Sequence, residues 1–190
     1  MYRSVYPLAL IAALAAVSGC NQQGKADDSA AKGAEEVKKA GNKSIVAGLD
    51  QNSRFIAVAK AAGIDGTLDG PGPYTVFVPD DAAFEKLPAG TYDTWLKPES
   101  RPELSQVLTY HILPGTVLVE DIGKAIDQAK DKKAVLATMG GKTLTAVRDG
   151  DRIVLTDGAG NKATLAQADE TRSNGVVHRI DAVMMPGQPG

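Results

Sequence analysis

The sequence has 190 residues, and 21 Lys and Arg against 23 Asp and Glu give it a formal net charge of −2. No basic run is interleaved with aromatic residues, so the composition predicts no nucleic-acid partner. A single cysteine excludes a disulfide within the chain, and the fold must therefore depend on a hydrophobic core.

Residues 1–19 predict a signal peptide. Arg3 precedes an apolar run at residues 8–17, which is too short for a membrane-spanning helix of roughly 20 residues. The run leads into VSGC, which resembles the lipobox of bacterial lipoproteins; an ordinary signal peptide with an incidental cysteine is the alternative. The resemblance implies a diacylglyceryl thioether on Cys20, usually with a third acyl chain, and hence a membrane anchor. Asn21 after the cysteine favours the outer membrane.

Residues 20–42 predict a flexible polar tether after the lipidated cysteine. The stretch NQQGKADDSAAKGAEEVKKAGN contains one valine and no other large apolar residue, so it cannot bury enough surface to order itself. A chain of this length has a root-mean-square reach of about 25 Å. Residues 43–186 are of a length that suits one domain, and residues 187–190 form a short C-terminal tail.

The first half of this domain predicts helices around one strand. Ser44 is placed to cap a first helix, and Gly63 is placed to end a second. The run YTVFV at residues 74–78, bounded by PGP and PDD, predicts a buried strand. Residues 100–103 predict a capping box, which opens a helix that carries Leu104, Val107, Leu108 and His111.

The second half changes to a period of two, which is typical of strands. Residues 143–147 and 153–156 alternate, and Asp149-Gly150 between them predicts a hairpin. Residues 163–168 predict a further strand, and residues 176–185 predict the last one. Because helices come first and strands follow, the fold class is α+β with a largely antiparallel sheet.

A charged helix is predicted at residues 119–133, between the two halves. Ile122, Ala125, Ile126 and Ala129 form a thin apolar stripe at helical spacing. One interpretation is a surface helix with a solvated face, and the other is a helix that lines a ligand groove or a partner surface.

Three separated segments resemble the fasciclin domain family: TVFVPDDAAFEKLPAG, LTYHILPG and SNGVVHRIDAVMMP. The resemblance runs from about Ser44 to Pro186 and implies a wedge-shaped β-sandwich, mostly antiparallel, with helices packed along one side. Members of the family are mostly extracellular or envelope proteins that adhere to proteins, cells or polysaccharide. A minority bind apolar small molecules such as carotenoids.

The two histidines, His111 and His178, are predicted to be structural. His111 follows Val107 and Leu108 at helical spacing, and the resemblance implies that Tyr110 and His111 brace the core. In the last strand, the set that contains Val176, His178 and Ile180 alternates with the set that contains Val177, Arg179 and Asp181. This alternation predicts that His178 points inward and that Val177 lies on the outer face. The resemblance places Asn174 and Gly175 in the structural core with His178.

No catalytic site is predicted. The sequence has no GxSxG elbow, and after lipidation no thiol remains free. Neither histidine has a metal ligand at helical spacing, and the pair Asp80-Asp81 is a helix cap rather than a cation site. We therefore expect no enzyme activity, no metal and no cofactor, and a hydrolase using His111 is the weakest hypothesis.

Tyr110, His111 and Asp169 are expected to form a motif whose role is either partner binding or structural. In animal matrix relatives, integrin recognition is attributed to the tyrosine-histidine segment and to an Asp-Ile pair before the last segment. The matching residues here are Asp169-Glu170, so the aspartate is present and the isoleucine is not.

The sequence predicts a non-catalytic protein of the bacterial envelope, anchored by lipid on Cys20 in the outer membrane. Its domain is expected to mediate adhesion or to bind a protein or polysaccharide partner. The alternative is a carrier that holds an apolar, carotenoid-like ligand near Tyr110 and Ile122.

Overall fold

A computed structural model describes residues 43–187. The predicted signal peptide, Cys20, the predicted tether and residues 188–190 lie outside the described residues. The helices are α1 (Ile45–Gly48), α2 (Arg54–Ala62), α3 (Asp65–Asp69), α4 (Asp81–Glu85), α5 (Thr91–Trp95), α6 (Arg101–Tyr110) and α7 (Val119–Gln128). The strands are β1 (Tyr74–Pro79), β2 (Ile112–Pro114), β3 (Lys133–Ala137), β4 (Thr143–Asp149), β5 (Arg152–Thr156), β6 (Lys162–Arg172) and β7 (Gly175–Ile180).

The seven strands form one mixed sheet in the order β2-β1-β7-β6-β5-β4-β3. Among the strand pairs of this described sheet, only β1 with β7 is parallel. The backbone N–H of Met139, just after β3, donates to the carbonyl oxygen of Ile112 in β2 at 2.8 Å. This bond brings the two ends of the sheet together, so the sheet is nearly closed. The predicted α+β class with a largely antiparallel sheet is confirmed.

The long strand β6 bends the sheet. Its first residues pair with β5, and its pairing with β7 shifts register on both sides of Gln167. Such bulges increase the local twist and allow one strand to serve two differently oriented parts of a sheet.

Two hydrophobic clusters lie on opposite faces of β1. Val76 and Val78 contribute to the first cluster, which the helices α1 to α6 cover, whereas Phe77 contributes to the second. Ile122 and Ile126 of α7 are buried in the second cluster, where α7 packs on β3 and β4. The continuous apolar run of β1 follows from burial on both faces. Of the predicted apolar stripe, Ile122 and Ile126 face this core, whereas Ala125 is exposed and Ala129 lies just after the last residue of α7.

Polar side chains begin several helices. Ser44 Oγ accepts from the N–H of Ala47 at 3.2 Å, and Asp80 Oδ1 accepts from the N–H of Ala83 at 2.7 Å. Gly63 ends α2 with a left-handed φ of 74°. These local features occur where the sequence predicted them.

The predicted capping box at residues 100–103 is wrong. Ser100 ends a short 3-10 helix (Pro98–Ser100), has helical dihedral angles, and its side chain makes no capping hydrogen bond. The carboxylate of Glu103 instead accepts from the indole N–H of Trp95 at 3.5 Å. The preceding turn already directs the chain into α6, so no serine cap is needed.

Three other predicted boundaries or faces are corrected. The last strand ends at Ile180 rather than at residue 185, because the N–H groups of Met184 and Met185 bond to side chains. Val177, expected on the outer face of β7, is fully buried because the helices cover that face as well. Helix α7 ends at Gln128, and Lys133 already belongs to β3.

Candidate functional site

His111 lies directly after α6 with its ring fully buried. Its Nδ1 is 2.8 Å from the carbonyl oxygen of Val107, and its Nε2 is 3.0 Å from the backbone nitrogen of Met184. A carbonyl can only accept, so Nδ1 carries the proton and Nε2 accepts from Met184. Burial lowers the pKa of His111 to about 4. The ring is therefore neutral at pH 7, with both nitrogens bonded.

Tyr110 connects α6 to two other parts of the fold. Its hydroxyl donates to the carbonyl oxygen of Thr143 at 2.8 Å and accepts from the N–H of Gly158 at 3.0 Å. The side chain is fully buried, and burial raises the pKa of Tyr110. Tyr110 and His111 together hold three parts of the fold against α6: β4, the turn after β5, and the C-terminal segment (residues 181–187).

Asp157 completes this arrangement, and its role was not predicted from the sequence. Its buried carboxylate accepts from the N–H groups of Ala159, Asn161 and Met185 at 2.9, 2.8 and 2.7 Å. It also accepts from the side-chain amide of Asn161 at 3.0 Å. An aspartate that opens the turn DGAGN is the available sequence signal, because Asp commonly bonds to backbone N–H groups in turns.

His178 and Asp169 form a second connection, in which the histidine ring is buried and Asp169 is exposed. Nε2 of His178 donates to the carbonyl oxygen of Val117 at 2.8 Å, and Nδ1 accepts from the N–H of Asp169 at 3.1 Å. Burial lowers the pKa of His178 as well. Asp169 has a left-handed φ of 57°, and its Oδ1 accepts from the N–H of Val119 at 3.0 Å at the start of α7. Asp169 thus joins the bulged part of β6 to α7.

Asn174 and Gly175 fix the start of β7. Asn174 accepts from the N–H of Ile45 at 2.8 Å, and its amide donates to the carbonyl oxygens of Leu68 and Gly70 at 2.8 and 2.7 Å. A Cβ at Gly175 would lie 2.0 Å from the carbonyl oxygen of Tyr74. Only glycine allows β1 and β7 to approach this closely.

The structure brings some of the predicted site residues together and keeps others apart. His178 contacts Asp169, but within residues 43–187 no hydrogen bond or ion pair joins Asp169 to Tyr110 or His111. Glu170, which replaces the isoleucine of the animal pattern, pairs with Arg172 at 2.7 Å and Arg179 at 3.0 Å. This carboxylate therefore joins two side chains, one on β6 and one on the neighbouring strand β7.

The carboxylates of Asp80 and Asp81 both bond to helix N-termini. Asp80 caps its own helix, α4, and Asp81 Oδ1 accepts from the N–H of Arg54 at 2.9 Å at the start of α2. In the described part of the chain, no group of three or more His, Cys, Asp or Glu side chains is placed to hold a metal ion.

Neither histidine is placed for acid–base chemistry. Both rings are fully buried, and their nitrogens bond only to backbone groups of Val107, Met184, Val117 and Asp169. A general base must reach a substrate proton, and these rings do not reach the surface. Tyr110 and Ile122, near which an apolar ligand was expected, are both buried in the second cluster.

A sequence profile of the fasciclin domain matches residues 50–186. The chain belongs to the fasciclin domain family. Fasciclin domain proteins are typically adhesion or cell-surface proteins. Within residues 43–187, no helix has the length and apolar character needed to cross a bilayer.

Two relatives and one solved structure illustrate this membership. Protein sll1483 of Synechocystis is 38% identical over 143 residues, which cover 75% of this fasciclin chain and 71% of sll1483. The cell surface glycolipoprotein MPB83 of Mycobacterium bovis is 36% identical over 120 residues, which cover 63% of this chain and 46% of MPB83. A FAS1 domain pair from the insect cell adhesion molecule fasciclin I superposes with a TM-score of 0.63 at 16% identity, covering 74% of this chain and 50% of that one. The last match supports the fold alone.

Proposed function

We propose that this protein is a lipid-anchored envelope protein whose fasciclin domain mediates adhesion or binds a protein or polysaccharide partner, without catalysis. The lipid on Cys20 holds it in the outer membrane, and residues 21–42 separate the domain from the lipid headgroups. The observation that carries the proposal is the match to the fasciclin domain, with a relative named as a cell surface glycolipoprotein at 36% identity.

The interior of the domain supports a non-catalytic role. The family's tyrosine-histidine segment is internal, and its polar atoms bond to backbone groups of β4, the turn after β5 and the C-terminal segment. These bonds stabilise the fold, and none of the atoms is available to a substrate. A partner therefore has to be recognised by the outer surface of the domain.

The VSGC sequence supports the anchor. Cys20 is the only cysteine of the chain, and acylation accounts for a lone thiol at the end of a predicted signal peptide. Two or three acyl chains hold a protein stably on a membrane, whereas one chain binds only marginally.

The anchor is tested by producing the full chain in a bacterium and comparing the wild type with Cys20→Ser. We expect the wild type in the membrane fraction, resistant to high salt, with an intact mass raised by the acyl chains. Cys20→Ser should lose both properties, whereas the control Ser18→Ala, which keeps a small residue before the cysteine, should retain them. An unmodified mass for the wild type, or membrane retention of Cys20→Ser, contradicts the anchor.

A further inference from the structure

A cleft of about 510 Å³ lies between the end of α4 and the C-terminal segment. Leu87 and Pro88 line one wall, and Val183 and Met185 line the other. The volume falls within the range of small-molecule sites, which are mostly apolar with a few polar groups. We name this depression the Met185 cleft.

The wall that contains Met185 is held by hydrogen bonds rather than by regular secondary structure. The N–H of Met185 donates to Asp157 Oδ2 at 2.7 Å, and the N–H of Met184 donates to His111 Nε2 at 3.0 Å. On the other side, the ammonium of Lys86 donates to the carbonyl oxygen of Asp181. The cleft is therefore formed before any ligand arrives, which reduces the ordering cost of binding.

The charged side chains that line the cleft are both lysines, Lys86 and Lys162. Lys86 also lies 3.8 Å from the carboxylate of Asp181, which offsets its charge. Within residues 43–187, the ammonium of exposed Lys162 makes no ion pair or hydrogen bond. An apolar cleft with an unpaired cation at its edge is complementary to an apolar ligand that carries one negative charge.

We propose that the Met185 cleft binds a small apolar molecule with one anionic group. The apolar part packs on Leu87, Val183 and Met185, and the anionic group lies beside Lys162. This site is separate from Tyr110 and Ile122, and it does not depend on the adhesive function.

The test uses the chain from Cys20 onwards, made without acylation, and decanoate as the probe below its micelle-forming concentration. Amide resonances from two-dimensional NMR report the site and the affinity. We expect saturable shifts with one-to-one stoichiometry, concentrated at Ala182, Val183 and Lys162. Decanol, which has the same apolar chain and no charge, should bind about 1.5- to 5-fold more weakly, the range expected for one exposed ion pair.

Two matched pairs of variants locate the contacts. Lys162→Gln should weaken the binding of decanoate by the same factor and leave the affinity for decanol unchanged. Lys97→Gln, which changes an exposed lysine away from the cleft, should change neither affinity. Thr91→Phe should fill the cleft and abolish binding, whereas Thr94→Phe in the same helix should not. Absence of saturable shifts, shifts centred elsewhere, or equal binding of decanoate and decanol would each overturn the proposal.

Discussion

His111 should make the stability of the domain depend on pH between 7 and 4. The unfolded chain takes up a proton on His111 as the pH falls through its ordinary pKa of 6.5, whereas the buried ring of the folded chain takes it up only near pH 4. Between these values protons favour the unfolded state, so stability that is fully present above pH 6.5 is lost as the pH falls. The difference in pKa corresponds to roughly 3 kcal/mol.

The matched variant is His111→Gln, because glutamine can donate and accept hydrogen bonds but does not titrate. At pH 7 we expect it to be about 1–3 kcal/mol less stable than the wild type, since its amide does not reproduce the ring's geometry. The difference in free energy of unfolding between the two proteins should narrow, close or reverse towards pH 4. Only the wild type loses stability there through the protonation of His111. His178 is present in both proteins, so its contribution to the pH dependence of stability cancels in the comparison.

The assay is urea unfolding of both proteins at several pH values between 7 and 4, followed by the fluorescence of the single tryptophan, Trp95, which is buried. Free energies from linear extrapolation give the difference between the two proteins at each pH. If the free energies of unfolding of the two proteins change in parallel between pH 7 and pH 4, the assignment of a buried, neutral His111 is refuted.

Three further substitutions test other parts of the core. His178→Ala should lower the free energy of unfolding by roughly 1–3 kcal/mol, and an unchanged melting temperature would refute its structural role. Gly175→Ala places a Cβ 2.0 Å from the carbonyl oxygen of Tyr74 and should cost more than about 1 kcal/mol in thermal melts, whereas Gly66→Ala, with open space around its Cβ, should not destabilise. Asn174→Asp removes an amide that donates to two carbonyl groups and should cost about 2 kcal/mol in urea unfolding; equal urea midpoints would show that these bonds do not matter.

Local sequence patterns predicted much of the fold because their causes are local. Gly63 ends a helix with a left-handed φ, and Asp80 caps a helix with its own side chain, so neighbouring residues are sufficient to predict both. The two-residue alternation of β4 and the turn that joins it to β5 are similarly local. The alternation predicted for β5 is wrong, because Ile153, Val154 and Leu155 are all buried. The parallel pairing of β1 with β7 is not, because it joins segments about 100 residues apart in the chain.

The parts that the sequence did not predict depend on distant partners. Residues 181–185 were predicted as part of the last strand, but the N–H groups of Met184 and Met185 bond to His111 and Asp157 instead of to a neighbouring strand. Alternation predicted that Val177 faces outward, but Val177 is fully buried. A pattern of alternating residues cannot show that both faces of a strand are covered. A turn aspartate such as Asp157 gives only a weak sequence signal for a bond to a segment 28 residues away.

The tyrosine-histidine segment was predicted in position but not in its contacts. Helical spacing was enough to place His111 at the apolar end of α6, where it is fully buried. The pairing of Nε2 with Met184 could not be predicted, because it joins residues 73 positions apart. The same limit applies to Asp169, whose carboxylate begins α7 across a separation of 50 residues.

The central claim is that the anchored domain binds a partner through its outer surface. We would measure in-cell photo-crosslinking of the full chain, with a benzophenone amino acid placed in turn at the exposed positions Leu96, Val135 and Met139. The account predicts a discrete higher-mass adduct from at least one position, containing protein or polysaccharide, and its loss in the Cys20→Ser chain. A correctly localised, fully folded chain that yields no adduct from any of these surfaces would contradict it.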